Sequence, residues 1–277
     1  FGEAVDALGE FSTTAEKRAV LKLFDNIDLT SALTFNTGFI TLDLNGYMLK
    51  QTGSGSVISI NEGADVVLDD WIGATTTHNY YVAEDGLWTF YDGDLPAEAA
   101  GAETGVVTGG VITGGNATNG GGVSVYGTFT MNDGTIAGNR STGGSMNYGG
   151  GVYVRGTVTM NGGVISGNTA GVHGGGVGVY GTFTMTDGTI SGNKAGSLGG
   201  GVYVGYSGNF LSMSGGTISD NNAGALGDVY VAGGSFTMEN GYCNSINIAN
   251  STFSFSGGNC DSVIISGGTV SISYGYI

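Results

Sequence analysis

The 277-residue chain is short of proline (one), histidine (two), cysteine (two) and bases, with only seven Lys and Arg against 23 Asp and Glu. Each shortage closes off a class of function. At a formal net charge of −16, no basic groove can neutralise phosphates, which argues against nucleic acid as a partner. An anionic membrane surface is disfavoured on the same ground. No apolar run approaches the ~18 residues of a transmembrane helix, so membrane insertion is not expected. No signal-peptide pattern is visible. The chain opens on Phe1 rather than Met, which points to a processed form or a fragment. No Cys/His cluster has zinc spacing, and the Ca²⁺-binding nonapeptide with its regular Asp is absent, so neither metal nor cofactor is expected. Two cysteines are too few to read a redox compartment.

What replaces charge is glycine, threonine, serine and asparagine. Glycine alone numbers 57. No Gly-X-Y period accompanies it, which excludes a collagen helix. Hydrophobic residues make up 40%, enough to bury a core rather than remain a linker. The acids are uneven. Residues 1–103 hold 17 acids and 4 bases, whereas residues 104–277 hold 6 and 3.

The organising feature is repetition. "GTFTMNDGTIAGN" (127–139) returns as "GTVTMNGGVISGN" (156–168) and "GTFTMTDGTISGN" (181–193). With Met131 as a marker, an apolar residue follows five positions later at Ile136. The same interval joins Leu44 to Leu49, Val107 to Ile112, Met160 to Ile165, Met185 to Ile190 and Met213 to Ile218, and it continues to the end of the chain. Steps between markers vary from 24 to 29 residues and then fall to 17 in the last two. Strict alternation of apolar and small polar residues describes strands with one buried face. Constant strands with variable corners predict an all-β fold: a single-stranded right-handed parallel β-helix of about ten coils. Phe129, Val158, Phe183, Leu211, Phe236, Phe253 and Val270 are read as one inward ladder, with the Met markers and the Ile136 series as two more. Gly134 and its equivalents mark a turn. Asn139, Asn168, Asn193 and Asn221 are read as a coil-to-coil amide ladder tolerating left-handed backbone. Thr128, Thr130, Thr135 and Ala137 are left facing out.

Residues 1–18 are expected to form a short N-terminal capping helix, with Phe1, Val5 and Leu8 on one face. Residues 19–277 then form the β-helix, interrupted by an acidic, aromatic insertion at 69–103 that contains a hairpin over 80–90. This insertion reads either as a flap packed on the helix or as a recognition loop. Asp69, Asp70, Asp92 and Asp94 are its candidate Ca²⁺ ligands, set against a merely solvated acidic loop. Ile277 falls on a ladder position, so end-to-end self-association at an uncapped C-terminal coil is an alternative role.

The stretch "GGGVYV…GTVTMNGGVISGN" resembles repeats of large bacterial adhesin-like surface proteins with right-handed β-helix regions. "ITLDLNGYML" (40–49) and "VISINEGADVVLDD" (57–70) are similar to their first coils. The resemblance implies a secreted or cell-surface location and a non-catalytic module that binds a glycan or a host or neighbouring-cell protein, or serves as a stalk.

Three sets of residues could carry a function. Tyr126, Tyr153, Tyr180, Tyr203 and Tyr230 recur at outward positions and form a candidate ligand face, or simply a cross-coil packing that shields the sheet. Thr128, Thr130, Thr157, Thr159, Thr182 and Thr184 form a Thr-x-Thr ladder similar to the ice-binding face of β-helical antifreeze proteins. Cys243 and Cys260 stand one coil apart, either as a candidate disulfide or as two buried thiols. A polysaccharide lyase or hydrolase would need clustered acids with a base. His78 and His173 stand apart, Arg140 and Arg155 lack acidic partners at coil spacing, and Asp133 and Asp187 should lie two coils apart. No enzyme is expected.

Overall fold

The computed structural model describes residues 13–72, 75–144, 147–224 and 227–277. It is a parallel β-helix. Three long parallel sheets run along its length, and each coil contributes one strand to each. The first sheet stacks Leu33–Phe35, Ile58–Ile60, Val123–Val125, Val152–Val154, Val177–Val179, Val202–Gly205 and Val229–Ala232. The second stacks Ala19–Lys22, Gly38–Asp43, Ala64–Asp69, Thr128–Met131, Thr157–Met160, Thr182–Met185, Phe210–Met213 and Ser235–Met238. The third begins at Ile27–Leu29 and Met48–Gln51, then passes through Val111–Thr113, Thr135–Ala137 and their successors. The last two coils are the long strands Tyr242–Phe255 and Asn259–Ile272, paired 17 residues apart. They lack the variable corner, as their short period requires.

Register is strict. Phe129, Val158, Phe183, Leu211, Phe236, Phe253 and Val270 are successive partners in the second sheet. So are Met131, Met160, Met185, Met213 and Met238, all buried. Complete burial of each such side chain is worth roughly 1.5–3 kcal/mol, and the ladder multiplies it along the core. The glycine after each Met strand serves two needs. Gly163 has φ +77°, and a Cβ there would come 2.6 Å from the Met131 Cε. Gly188 and Gly216 repeat the arrangement against Met160 and Met185. Each methionine tip occupies the space that the glycine of the next coil leaves empty.

The asparagine ladder forms at the corner after the third sheet. Asn139 Nδ2 donates to Asn168 Oδ1 at 3.1 Å, Asn168 Nδ2 to Asn193 Oδ1 at 3.0 Å, and Asn193 Nδ2 to Asn221 Oδ1 at 2.9 Å. Each Oδ1 also accepts the backbone N–H of the preceding ladder residue. The run ends on Asp228, whose carboxylate accepts from Asn221 N and Nδ2 and from the Ser245 hydroxyl. The left-handed backbone lies one residue earlier than expected, at Gly138 (φ +67°), Gly167 (φ +60°), Gly192 (φ +63°) and Asp220 (φ +57°). Glycine takes the strained dihedral, which frees asparagine to bond.

Several expectations are corrected. Leu42, not Leu44, pairs with Leu68 and so stands on the Met ladder. Val107 is not a coil marker. It lies on Thr104–Thr108, a strand of the insertion, which therefore reaches past residue 103. The variable corners carry a fourth, short parallel sheet of Asn116–Ala117, Arg140–Ser141, Thr169–Ala170, Lys194–Ala195 and Asn222–Ala223. Of the expected capping helix, residues 1–12 lie outside the described residues, and Ala15–Lys17 is a single 3₁₀ turn.

Asn168→Ala should destabilise the protein by about 2–4 kcal/mol, because it strands buried donors on Asn139 and a carbonyl on Ile136. Asn161→Ala removes only exposed contacts, its donation to Asn132 and its acceptance from the Thr186 hydroxyl, and should stay within about 0.5 kcal/mol. Urea unfolding of the two variants checks this. Equal effects would show that the ladder adds nothing.

Candidate functional site

Three surfaces depart from bare packing: the insertion, the threonine array and the tyrosine band. The insertion is a three-stranded antiparallel sheet of Thr77–Val82, Trp88–Tyr91 and Thr104–Thr108. Its base is clamped by buried Asp70, which accepts Gly46 N–H at 2.5 Å and Gly110 N–H at 2.6 Å. Its aromatic side lies on the third sheet. Trp88 stacks on Tyr80 with ring centroids 3.9 Å apart and donates its backbone N–H to the Gly167 carbonyl. Gly138 and Gly167 leave the room for it. A Cβ on Gly167 would sit 2.2 Å from the Trp88 ring. Phe90 and Val107 form a second small core with Met48, Val111 and Ala137. Thr135 and Ala137 keep their outward positions but are buried, Ala137 beneath the insertion. At the tip, Arg140 pairs with Asp85 at 2.6 Å. The insertion is thus a docked flap, with a cleft of about 340 Å³ along its edge. Its candidate Ca²⁺ ligands are not gathered. Asp70 is taken up by backbone, Asp69 is half-buried on its strand, and Asp92 and Asp94 are exposed. Among the described residues, no group of three or more His, Cys, Asp or Glu converges.

The threonines do form two parallel columns. Thr128, Thr157 and Thr182 stack in one, and Thr130, Thr159 and Thr184 in the next. Asp65 and Val67 precede them, while Phe210 and Ser212 follow. The regular array therefore spans three rungs.

The tyrosines are not an open platform. Tyr153 and Tyr203 are outward on the first sheet yet only 7% and 6% exposed. Gly178 pairs with both and has no side chain, and Tyr148 enters that gap from the variable corner. His173 packs nearly parallel beside both Tyr148 (5.6 Å) and Tyr203 (4.4 Å), which lie 6.0 Å from each other. Tyr230 continues the stack 6.1 Å beyond Tyr203. A second column runs at the following corner. Its members are Tyr126, Arg155 and Tyr180, since the strands before them pair in register. Tyr126 is 41% exposed, and the Arg155 guanidinium lies 5.9 Å from its ring. In the next coil, a longer corner raises Tyr206, 59% exposed and left-handed at φ +59°. A tyrosine held there is strained by roughly 1 kcal/mol, a cost that clusters at functional sites.

Between these columns opens a cleft of about 430 Å³. Tyr148, Tyr153 and Tyr180 line it together with Tyr206, Arg155, Asn119 and Asn209. Burial holds the phenols of Tyr153, Tyr180 and Tyr203 above their ordinary pKa, so all stay neutral donors at physiological pH. The Tyr180 hydroxyl is sealed from solvent without a well-formed hydrogen bond. No family model, curated protein or solved structure matches this chain, so the cleft has to be read from its own chemistry. Of the candidate face, Tyr153 and Tyr180 line the cleft, while Tyr126, Tyr203 and Tyr230 pack beside it. Tyr148, Arg155, Tyr206 and the two asparagines were not among the sequence candidates. One signal was available: Asn119, Tyr148, His173 and Leu198 each stand just before a Gly triplet and are bridged coil to coil.

Cys243 and Cys260 are directly opposed across the last two coils, but as free buried thiols. Stacked parallel strands aim both Cβ atoms the same way. The Cys243 sulfur meets Met213, and the Cys260 thiol faces the Ser262 carbonyl. Burial pushes both thiols up in pKa. The last strand leaves Ile264, Ile265 and Ile272 exposed.

His173 offers a pH test. Burial lowers its pKa below the ordinary 6.5, so the unfolded chain takes up the proton first. Its contribution is complete above pH 6.5 and is lost as pH falls through that value toward the folded-state pKa. In urea unfolding at about pH 7.5 and about pH 5, the protein should lose more stability than His173→Phe, which keeps the stacked ring. Equal losses would remove His173 from the account.

Proposed function

We propose that the protein is a non-catalytic, adhesin-like module, secreted or held at a cell surface, that binds a saccharide in the tyrosine cleft. The observation that carries this reading is the cleft itself. Aromatic faces suit the C–H faces of sugar rings, and amide and phenol groups at the rim suit hydroxyls. Tyr206 is exposed and strained, as a residue retained for contact would be. No carboxylate lines the cleft, which supports binding rather than general acid–base chemistry. The β-helix then serves as a rigid scaffold. Screening on a glycan array, followed by titration of the best ligand, checks this. Tyr206→Asn removes the ring while tolerating the left-handed backbone, and should weaken binding about tenfold or more with an unchanged melting curve. If no saccharide binds, the stalk reading replaces it.

A second reading rests on the threonine array, whose two columns over three rungs are flat and regular. It describes an ice-binding face. Thermal hysteresis or faceted ice crystals in its presence, lost in Thr159→Tyr, would support it. Ordinary ice growth in a concentrated solution would eliminate it.

A further inference from the structure

We infer that the cleft's ligand is an acidic saccharide, with its carboxylate held by Arg155. This rests on the saccharide reading of the same cleft and specifies its chemical class.

Arg155 interrupts a column of tyrosines. Its partners in the two adjacent coils are Tyr126 and Tyr180. A guanidinium stands in its place, at the rim of the cleft. Every ion pair recorded among the described residues uses another base: Arg18 with Asp65, Lys22 with Asp43, and Arg140 with Asp85. Among the described residues Arg155, like Lys50 and Lys194, is in no ion pair. Its guanidinium is instead steadied over the Tyr126 ring, which leaves its N–H fork open to a planar acceptor.

The surroundings agree. Among the described residues that line the cleft, Arg155 alone carries a formal charge. The Asn119 side-chain oxygen accepts the Tyr148 N–H at 3.0 Å, so its amide N–H₂ is available as a further donor. Burial raises the pKa of the Tyr153 phenol in the cleft lining, so it adds a hydroxyl rather than a charge. The guanidinium fork of Arg155 is the group at this rim that suits a carboxylate rather than a neutral hydroxyl array. The chain's acids are concentrated in residues 1–103, and residues 104–277 carry only six acids with three bases. The cleft therefore lies in the half of the protein that repels an anion least, and screening limits the rest.

Two sources of such a carboxylate are uronate polymers and sialylated glycans. The test titrates the intact chain with short oligogalacturonates, with sialyl-oligosaccharides, and with each after its carboxylates are reduced to alcohols. At least one acidic series should bind, and its reduced form should bind about tenfold or more weakly. Arg155→Gln should cost the acidic ligand the same factor and leave the reduced one unchanged. Arg155→Lys should recover only part of the loss, because the fork is gone. Circular dichroism should be the same for all variants. The inference is overturned if acid and reduced forms bind equally, or if Arg155→Gln binds the acid as tightly. If neutral sugars bind and Tyr206→Asn abolishes it while Arg155→Gln does not, the saccharide reading stands and this inference alone falls. If nothing binds, both fall.

Discussion

A strand in this fold cannot satisfy its own backbone, because every N–H and C=O along it must find a partner in the coil above or below. That one constraint governs the rest. It forces each coil to present the same strand lengths at the same angles, so the register of one rung dictates the next. Side chains inherit the register. Phe129 lands on Val158, Met131 on Met160 and Ile136 on Ile165, and any coil that changed its alternation would expose its core set. The corner glycines follow from the same rule. The methionine tip of one coil fills what the next coil's glycine vacates, so neither residue can drift without the other. The asparagine ladder extends the backbone ladder into a polar corner that would otherwise hold buried, unpaired amides.

If register explains the repeat, then specificity has to lie where the repeat fails. Three failures converge on one place. Gly178 vacates an outward position held by Tyr153 and Tyr203 in adjacent coils, and Tyr148 moves in. Arg155 replaces tyrosine in the neighbouring column. The corner "GYSGN" (205–209) is three residues longer than the two-residue "YG" (180–181) of the previous coil, and it lifts Tyr206 over the cleft. None of these improves the stacking. Their proximity gives them meaning as a site.

The sequence made the architecture legible because periodicity is a long-range signal that many coils report together. The inward ladders and the threonine columns appear where the alternation placed them. The errors came where only one or two coils speak. Leu44 stands five residues before Leu49 although Leu42 holds the ladder position, since the early coils lack the methionine, and Val107 shares the five-residue interval only by coincidence. The tyrosines were legible as outward but not as covered. Their cover, Tyr148 and His173, comes from the variable corners, where the Gly triplet marks the position but not its occupant, since Asn119 and Leu198 hold the same place in other coils. For the same reason Arg155 read as an isolated base, although its place between Tyr126 and Tyr180 follows at once from the register.

The same logic separates the flap from the cleft. The flap needs glycine under Trp88 and small residues at Ala137, and it takes them from the Gly-Asn corner after the third sheet. The cleft needs aromatic columns, and it takes them from the first sheet and the corner that follows it. A prism with three faces lets both be built from one repeat, because the alternation that fills the core leaves each outer face free to vary. Charge divides along the same lines. Of the bases in the repeat half, Arg140 answers the flap's Asp85 and Lys194 lies beneath Gly86 of the flap turn. Arg155 instead stands over the Tyr126 ring at the edge of the cleft. A guanidinium steadied on an aromatic ring at the rim of a tyrosine-lined cleft is placed where an anion from outside the protein can reach it.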